Sequence, residues 1–280
     1  MTAWRGGHAK ASFRRHDGIA AHMIGRAGLA ATFACVATSL LACALPDRAA
    51  SQELCPPPAE MPTPRLPHAR LALATNQPIL IVALGSSSTR GWMATDIGHS
   101  YPSWLQRVLN DALPKADISV INRGIGGQDA PEELARLYQD VLALRPQIAI
   151  WQAGANGAIR DASPAAFKIL MQEGIGELKA AGVDVILMDN QRAPKILASS
   201  EHAQMDQALR EVAATTGENL FSRGGLMDQW AATGATLDDF IAPDGLHMNN
   251  RGYYCLAQSL GSAIATALRQ PLAAQTAGAK

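Results

Sequence analysis

The chain has 280 residues, 48% apolar and 17% charged, which is enough for a sizeable core and too apolar for a disordered polypeptide. Lys plus Arg equals Asp plus Glu at 24 each; six of the basic but only two of the acidic side chains fall in residues 1–50, leaving 18 basic against 22 acidic for residues 51–280. A mildly acidic body excludes a nucleic-acid binder, which needs a basic face to meet phosphates.

Residues 1–54 read as a leader and signal or anchor segment. Ala27 to Leu45 is a run of 19 residues without a charge, preceded by Arg26. A basic start followed by an apolar stretch is the pattern of an export signal. Met23 is an alternative start, which makes Met23–Arg26 a short basic region. Two processing sites compete. Ala42-Cys43-Ala44 offers small residues to a signal peptidase, and Leu40-Leu41-Ala42-Cys43 resembles a lipoprotein box that leaves a lipidated Cys43 as the N-terminus. Simple export is favoured, so the expected location is periplasmic or secreted. Membrane contact is then expected only through an N-terminal anchor or Cys43.

Residues 55–77 are expected to form a stiff, extended linker, because six prolines (Pro56, Pro57, Pro58, Pro62, Pro64, Pro67) fall within residues 56–67. Cys55 and Cys255 survive cleavage before residue 55. In an oxidising compartment they can pair; the alternative is two free thiols.

The folded domain is expected over residues 78–280. Ile79–Leu84 is a continuous apolar run ending at Gly85, the mark of a strand buried on both faces. Tyr101–Leu113 has helical spacing and stops at Pro114. Ile118–Asn122 is a second strand, and Pro131–Leu144 a helix with proline at its tolerated early position. A third strand, Gln147–Gln152, precedes a helix over Ser163–Ala181 that closes at Gly182. Val183–Met188, a helix over His202–Thr216, a short strand at Asn219–Phe221 and a final helix over Asn250–Leu268 complete the pattern. Five apolar strands alternating with helices imply an α/β fold: a three-layer α/β/α sandwich around a parallel sheet. Ligands of such sheets sit at the carboxyl ends of the strands.

Four chemistry-bearing blocks fall where that rule places a site. They are Gly85-Ser86-Ser87-Ser88 after the first strand and Asn122 to Gly127 after the second. Gly154-Ala155-Asn156-Gly157 follows the third, and Asp244-Gly-Leu-His247 precedes the last helix. A serine at a strand-to-helix turn exposes its hydroxyl, but it needs a base at neutral pH. His247, with Asp244 three residues before it to orient the ring, is taken as that base over His99 and His202. Glycines after the second strand let backbone N–H groups approach a ligand. The N–H groups of Ser87 and Gly127 and the Asn156 side chain then form a candidate oxyanion hole. Each block alone has a plainer reading, as a tight turn, a flexible loop or a surface pair; the order of all four disfavours it.

In order and spacing these blocks resemble the SGNH hydrolase family, also called GDSL esterases, over about residues 78–270. The resemblance implies a flavodoxin-like sheet of order 2-1-3-4-5, a nucleophilic Ser87, and ester hydrolysis without a metal or other cofactor. Ser86 stands where the family's first block has Asp, and Gly157 where its third block ends in Asp. Those departures should change the hydrogen bonds behind Ser87 and Asn156 without removing the chemistry. Trp92 and Met93, with Arg192 and Lys195 after the fourth strand, are expected to rim the pocket. The substrate expected is a small-molecule ester or an acylated glycan, with short-chain or O-acetyl groups. Two alternatives remain: an O-acyltransferase acting on an envelope glycan, and a glycan-binding envelope protein without catalysis.

Overall fold

A computed structural model describes residues 55–58 and 60–271, so the leader, Met23 and the Cys43 processing sites lie outside the described residues. The strands are β1 (Ile79–Gly85), β2 (Ile118–Gly124), β3 (Ile148–Gln152), β4 (Asp184–Met188) and β5 (Asn219–Phe221). They form one sheet of order β2-β1-β3-β4-β5, as expected, and every neighbouring pair is parallel. The register brings Gly85 opposite Gly124 and Leu84 opposite Trp151, so the carboxyl ends of β1, β2 and β3 stand level.

Side chains alternate across the sheet with the strand period of two. Ile79, Ile81, Ala83, Ile148, Ile150, Ile186 and Met188 pack into one core layer. Val82, Leu84, Ala149, Trp151, Val185 and Leu187 pack into the other. Both faces are therefore dry, which is why these strands read as continuous apolar runs.

The helices, in chain order, are α1 (Pro67–Ala74), α2 (Ser87–Arg90), α3 (Tyr101–Ala112), α4 (Ala130–Ala135), α5 (Leu137–Asp140) and α6 (Ala155–Ile159). They continue with α7 (Pro164–Ala180), α8 (Pro194–Leu197), α9 (His202–Thr216), α10 (Arg223–Ala232) and α11 (Asn250–Arg269). Leu105 and Leu109 of α3 and Leu256, Leu260 and Ile264 of α11 cover the first face. Phe167, Met171, Ile175 and Leu178 of α7 and Leu209 and Val212 of α9 cover the second. Side-chain caps set several starts: Ser163 for α7, Ser222 for α10 and Asn249 for α11 each accept a first-turn N–H.

Three expectations are corrected. The segment 55–77 is not an extended linker throughout, because α1 forms within it with Pro67 in its first turn. Leu66, Ala69 and Ala72 bury one stripe against the core. The Asp184 carboxylate accepts the N–H groups of His68 and Ala69, which have no acceptor inside the helix. The single helix expected over Pro131–Leu144 is broken at Arg136, whose guanidinium reaches Gln128, Asp140 and the carbonyls of Gly85 and Arg123. Helix α10 was not expected at all; Gly224 and Gly225 in its first turn weaken its sequence signal. Of the two thiol readings, pairing is the one observed: Cys55 and Cys255 form a disulfide. Among the described residues no helix is long and apolar enough to cross a membrane.

Candidate active site

The site is assembled at the carboxyl edge of the sheet. Strand β1 runs into Ser86, and Ser87 opens α2 directly beyond it. The three consecutive serines are distinguished by burial. Ser86 and Ser88 are buried, while Ser87 is partly exposed. The Ser86 hydroxyl and N–H and the Thr89 hydroxyl all donate to Oε1 of Gln152, the residue that closes β3. Ser88 Oγ accepts from Gln191 Nε2 at 3.2 Å. Ser87 Oγ lies 2.7 Å from Nε2 of His247.

His247 is held from behind. Its Nδ1 lies 2.5 Å from Oδ2 of Asp244, whose Oδ1 accepts the N–H groups of Leu246 and His247 at 3.0 Å each. Partial burial pushes the Asp244 carboxyl up, but the hydrogen bonds from the His247 ring and these two N–H groups outweigh it and hold it below the usual carboxylate range. The turn is braced from the loop after β4. Lys195 N–H donates to the Gly245 carbonyl at 3.0 Å, and Gln191 Nε2 donates to the Leu246 carbonyl at 2.7 Å. Gln191 thus joins the segments carrying Ser87 and His247, which are 160 residues apart.

The three expected N–H donors lie on α2, the loop after β2 and α6. Ser87 N–H begins a helix, so no intrahelical acceptor exists for it. The loop after β2 comes close: a Cβ added at Gly126 would sit 3.8 Å from that of Ser87. Gly124 permits the approach, because a Cβ there would overlap the backbone of Arg90. Gly127 adopts φ +81° and its carbonyl accepts from Arg160 at 2.7 Å. Asn156 sits on α6, and its Nδ2 donates to the Gln128 carbonyl at 2.7 Å. One amide proton of Asn156 therefore fixes the loop and the second is left for another acceptor.

Among the expected rim residues, Trp92 stands beside His247, with ring centroids 6.5 Å apart, and is 52% exposed. Met93 is exposed next to it, and Lys195 is exposed beside the Asp244 turn. Arg192 departs from expectation. Its guanidinium is tied to Asp206 at 2.9 Å and to Asp228 at 2.9 Å, so it braces α9 and α10 and does not point free into the rim. The sequence reading also passed over Asp96, which stands three residues before His99 just as Asp244 does before His247. Asp96 Oδ2 lies 2.9 Å from Nδ1 of His99, so the spacing alone does not select the base. His202 Nδ1 faces the Ser199 carbonyl at 2.7 Å.

With this geometry in place, residues 54–270 match the model of the non-GDSL lipase-like family. The chain belongs to that family. An arylesterase of Vibrio mimicus is 30% identical over 120 residues, 42% of this chain and 58% of the arylesterase. A two-domain esterase active on acetylated mannans superposes with a TM-score of 0.64 at 19% identity, covering 76% of this chain and 56% of that one. A lipase/acylhydrolase of Enterococcus faecalis gives a TM-score of 0.57 at 25% identity, over 67% of this chain and 96% of the other. The chain thus spans a little over half the length of the arylesterase and of the mannan esterase.

The two departures from the family blocks have distinct surroundings in this member of the non-GDSL lipase-like family. Gln152 receives the hydrogen bonds of Ser86. A Cβ at Gly157 would lie 2.8 Å from the Asp129 carboxylate, so Asp129 fills the space an aspartate there would need. Burial pushes the Asp129 carboxyl above its usual range. Gln152, Gln191 and Asp129 were all missed by sequence reasoning. A polar residue closing the apolar β3 was the one available signal, for Gln152; the other two carry none.

Proposed function

We propose that this chain is an exported serine esterase that hydrolyses short acyl esters through Ser87, His247 and Asp244. The observation that carries the reading is the continuous chain Ser87 Oγ–His247 Nε2–His247 Nδ1–Asp244 Oδ2, with contacts of 2.7 and 2.5 Å. In it, His247 takes the Ser87 proton as Oγ attacks the ester carbonyl carbon. The developing oxyanion meets the N–H groups of Ser87 and Gly127 and the remaining amide proton of Asn156. His247 returns the proton to the departing alcohol, water then adds to the acyl-enzyme by the same route, and Ser87 is regenerated. Asp244, held ionised by its own donors, keeps the imidazole tautomer and orientation throughout.

Export is supported by the Cys55–Cys255 disulfide, since such bonds persist in oxidising compartments. The arylesterase, the mannan esterase and an acetylxylan esterase of Geobacillus stearothermophilus support ester hydrolysis, and O-acetyl esters as its first substrates to test. Ser87→Ala should abolish turnover of a nitrophenyl acetate while circular dichroism and melting stay unchanged. Parent-like turnover by that variant would sink the assignment.

A further inference from the structure

We propose that Trp92 reads the alcohol half of the ester, and that the site favours esters of alcohols carrying a ring over those of small open-chain alcohols. The proposal rests on the esterase reading above and adds to it which side of the scissile bond the protein inspects.

The side follows from proton transfer. The nitrogen that takes the Ser87 proton must return it to the leaving oxygen, so that oxygen must come within hydrogen-bond reach, roughly 3 Å, of His247 Nε2. The loop after β2 comes up to Ser87 at Gly126, and Asn156 is tied to the same loop at the Gln128 carbonyl. The indole of Trp92 lies against the imidazole, with ring centroids 6.5 Å apart. The atoms beyond the leaving oxygen therefore run beside Trp92.

The way Trp92 is held argues that this contact is built. The residue is 52% exposed, yet its backbone is pinned at both ends. Its N–H donates to the carbonyl of Ser87 at 2.9 Å, and its own carbonyl accepts from the Tyr253 hydroxyl at 2.8 Å. Gly91 before it and Met93 after it both adopt left-handed backbone, at φ +90° and +67°. Met93 has a Cβ and adopts that region only at a cost. A large apolar ring held out on a strained, anchored turn beside the reacting atoms is preorganised for a ligand. Its exposed face matches the face of an aryl or pyranosyl ring, whereas an ethyl group covers little of it.

The test uses three acetates, of phenol, of a methyl pyranoside and of ethanol. All pass through the same acetyl-enzyme, so differences in kcat/KM report the acylation step, where the alcohol is still present. Comparing each variant with the parent on the same ester cancels the intrinsic reactivity of the leaving group. Trp92→Ala should lower kcat/KM about tenfold on the phenyl or pyranosyl ester and less than about twofold on ethyl acetate, and Trp92→Phe should recover most of the loss. Loss on the phenyl ester alone, or on the pyranosyl ester alone, names the ring class and supports the proposal. Equal loss on all three, or no loss, overturns it. A changed preference between acetyl and butyryl esters of one alcohol also overturns it, by placing Trp92 on the acyl side. If the folded parent turns over none of the three, the esterase reading itself fails, a result distinct from the other outcomes.

Discussion

The molecule contains two Asp-x-x-His turns, and only one of them meets a serine hydroxyl. In Asp96–His99 and in Asp244–His247 the carboxylate holds Nδ1 of the imidazole, at 2.9 and 2.5 Å. Both carboxyls lie below the usual range, Asp96 chiefly through its hydrogen bond with His99, and Asp244 through its donors acting against burial. The surroundings differ. Asp96 and His99 sit at the surface, Thr95 Oγ1 crowds the same ring nitrogen at 3.1 Å, and the ring leans edge-on against Trp104. Among the described residues no hydrogen-bond partner faces Nε2 of His99. His247 is buried, and its Nε2 meets Ser87. An oriented imidazole is therefore a local product of four residues, while its contact with a serine hydroxyl is a product of where the chain delivers it.

Substituting the two histidines is the strongest way to break this comparison. His247→Ala should cost about 10⁵–10⁶ in kcat, the scale seen when a base of this kind is removed. His99→Ala should leave kcat within about twofold, and steady-state kinetics on one acetate ester reads both. The carboxylates should follow the same division with a smaller span. Asp244→Asn should cost about 10³–10⁴ in kcat by releasing the tautomer, whereas Asp96→Asn should leave the rate unchanged. Comparable losses from the two asparagine variants would mean that the surface turn takes part in the chemistry.

A finer test removes the brace that only the buried turn has. Gln191→Leu deletes the donor shared by the Leu246 carbonyl and Ser88 while keeping an apolar side chain of similar bulk. It should lower kcat by about tenfold with KM within about twofold, because the loss concerns alignment of Ser87 with His247 and not substrate contact. A rise in KM with kcat unchanged would place Gln191 in substrate binding instead.

Much of the fold was legible because the sheet is buried on both faces. Each of β1 to β4 announces itself as an apolar run, and β5 as a short one before its capping serine. The site blocks were legible because a parallel sheet sends the ends of β1, β2 and β3 to one edge. The failures have equally specific causes. Helix α1 buries only Ala69 and Ala72 and follows a run of prolines. Helix α10 carries two glycines in its first turn. Arg192 looked like a rim residue because it follows β4, but Asp206 and Asp228, from α9 and α10, claim its guanidinium.

By itself, the sequence determined the strands, the wrapping of the sheet by helices, and a serine and a histidine block at the edge where ligands bind. Periodicity reports which faces are buried, and that information is local to each segment. Only the tertiary structure decided which of three adjacent serines faces outward, and which of two identically spaced Asp–His pairs stands over it. It also decided that Ser86 donates to Gln152 and that Asp129 packs against Gly157. These choices depend on hydrogen bonds between residues as far as 160 positions apart. Such partners meet because the register of the sheet brings their loops together, a condition that no short stretch of sequence records.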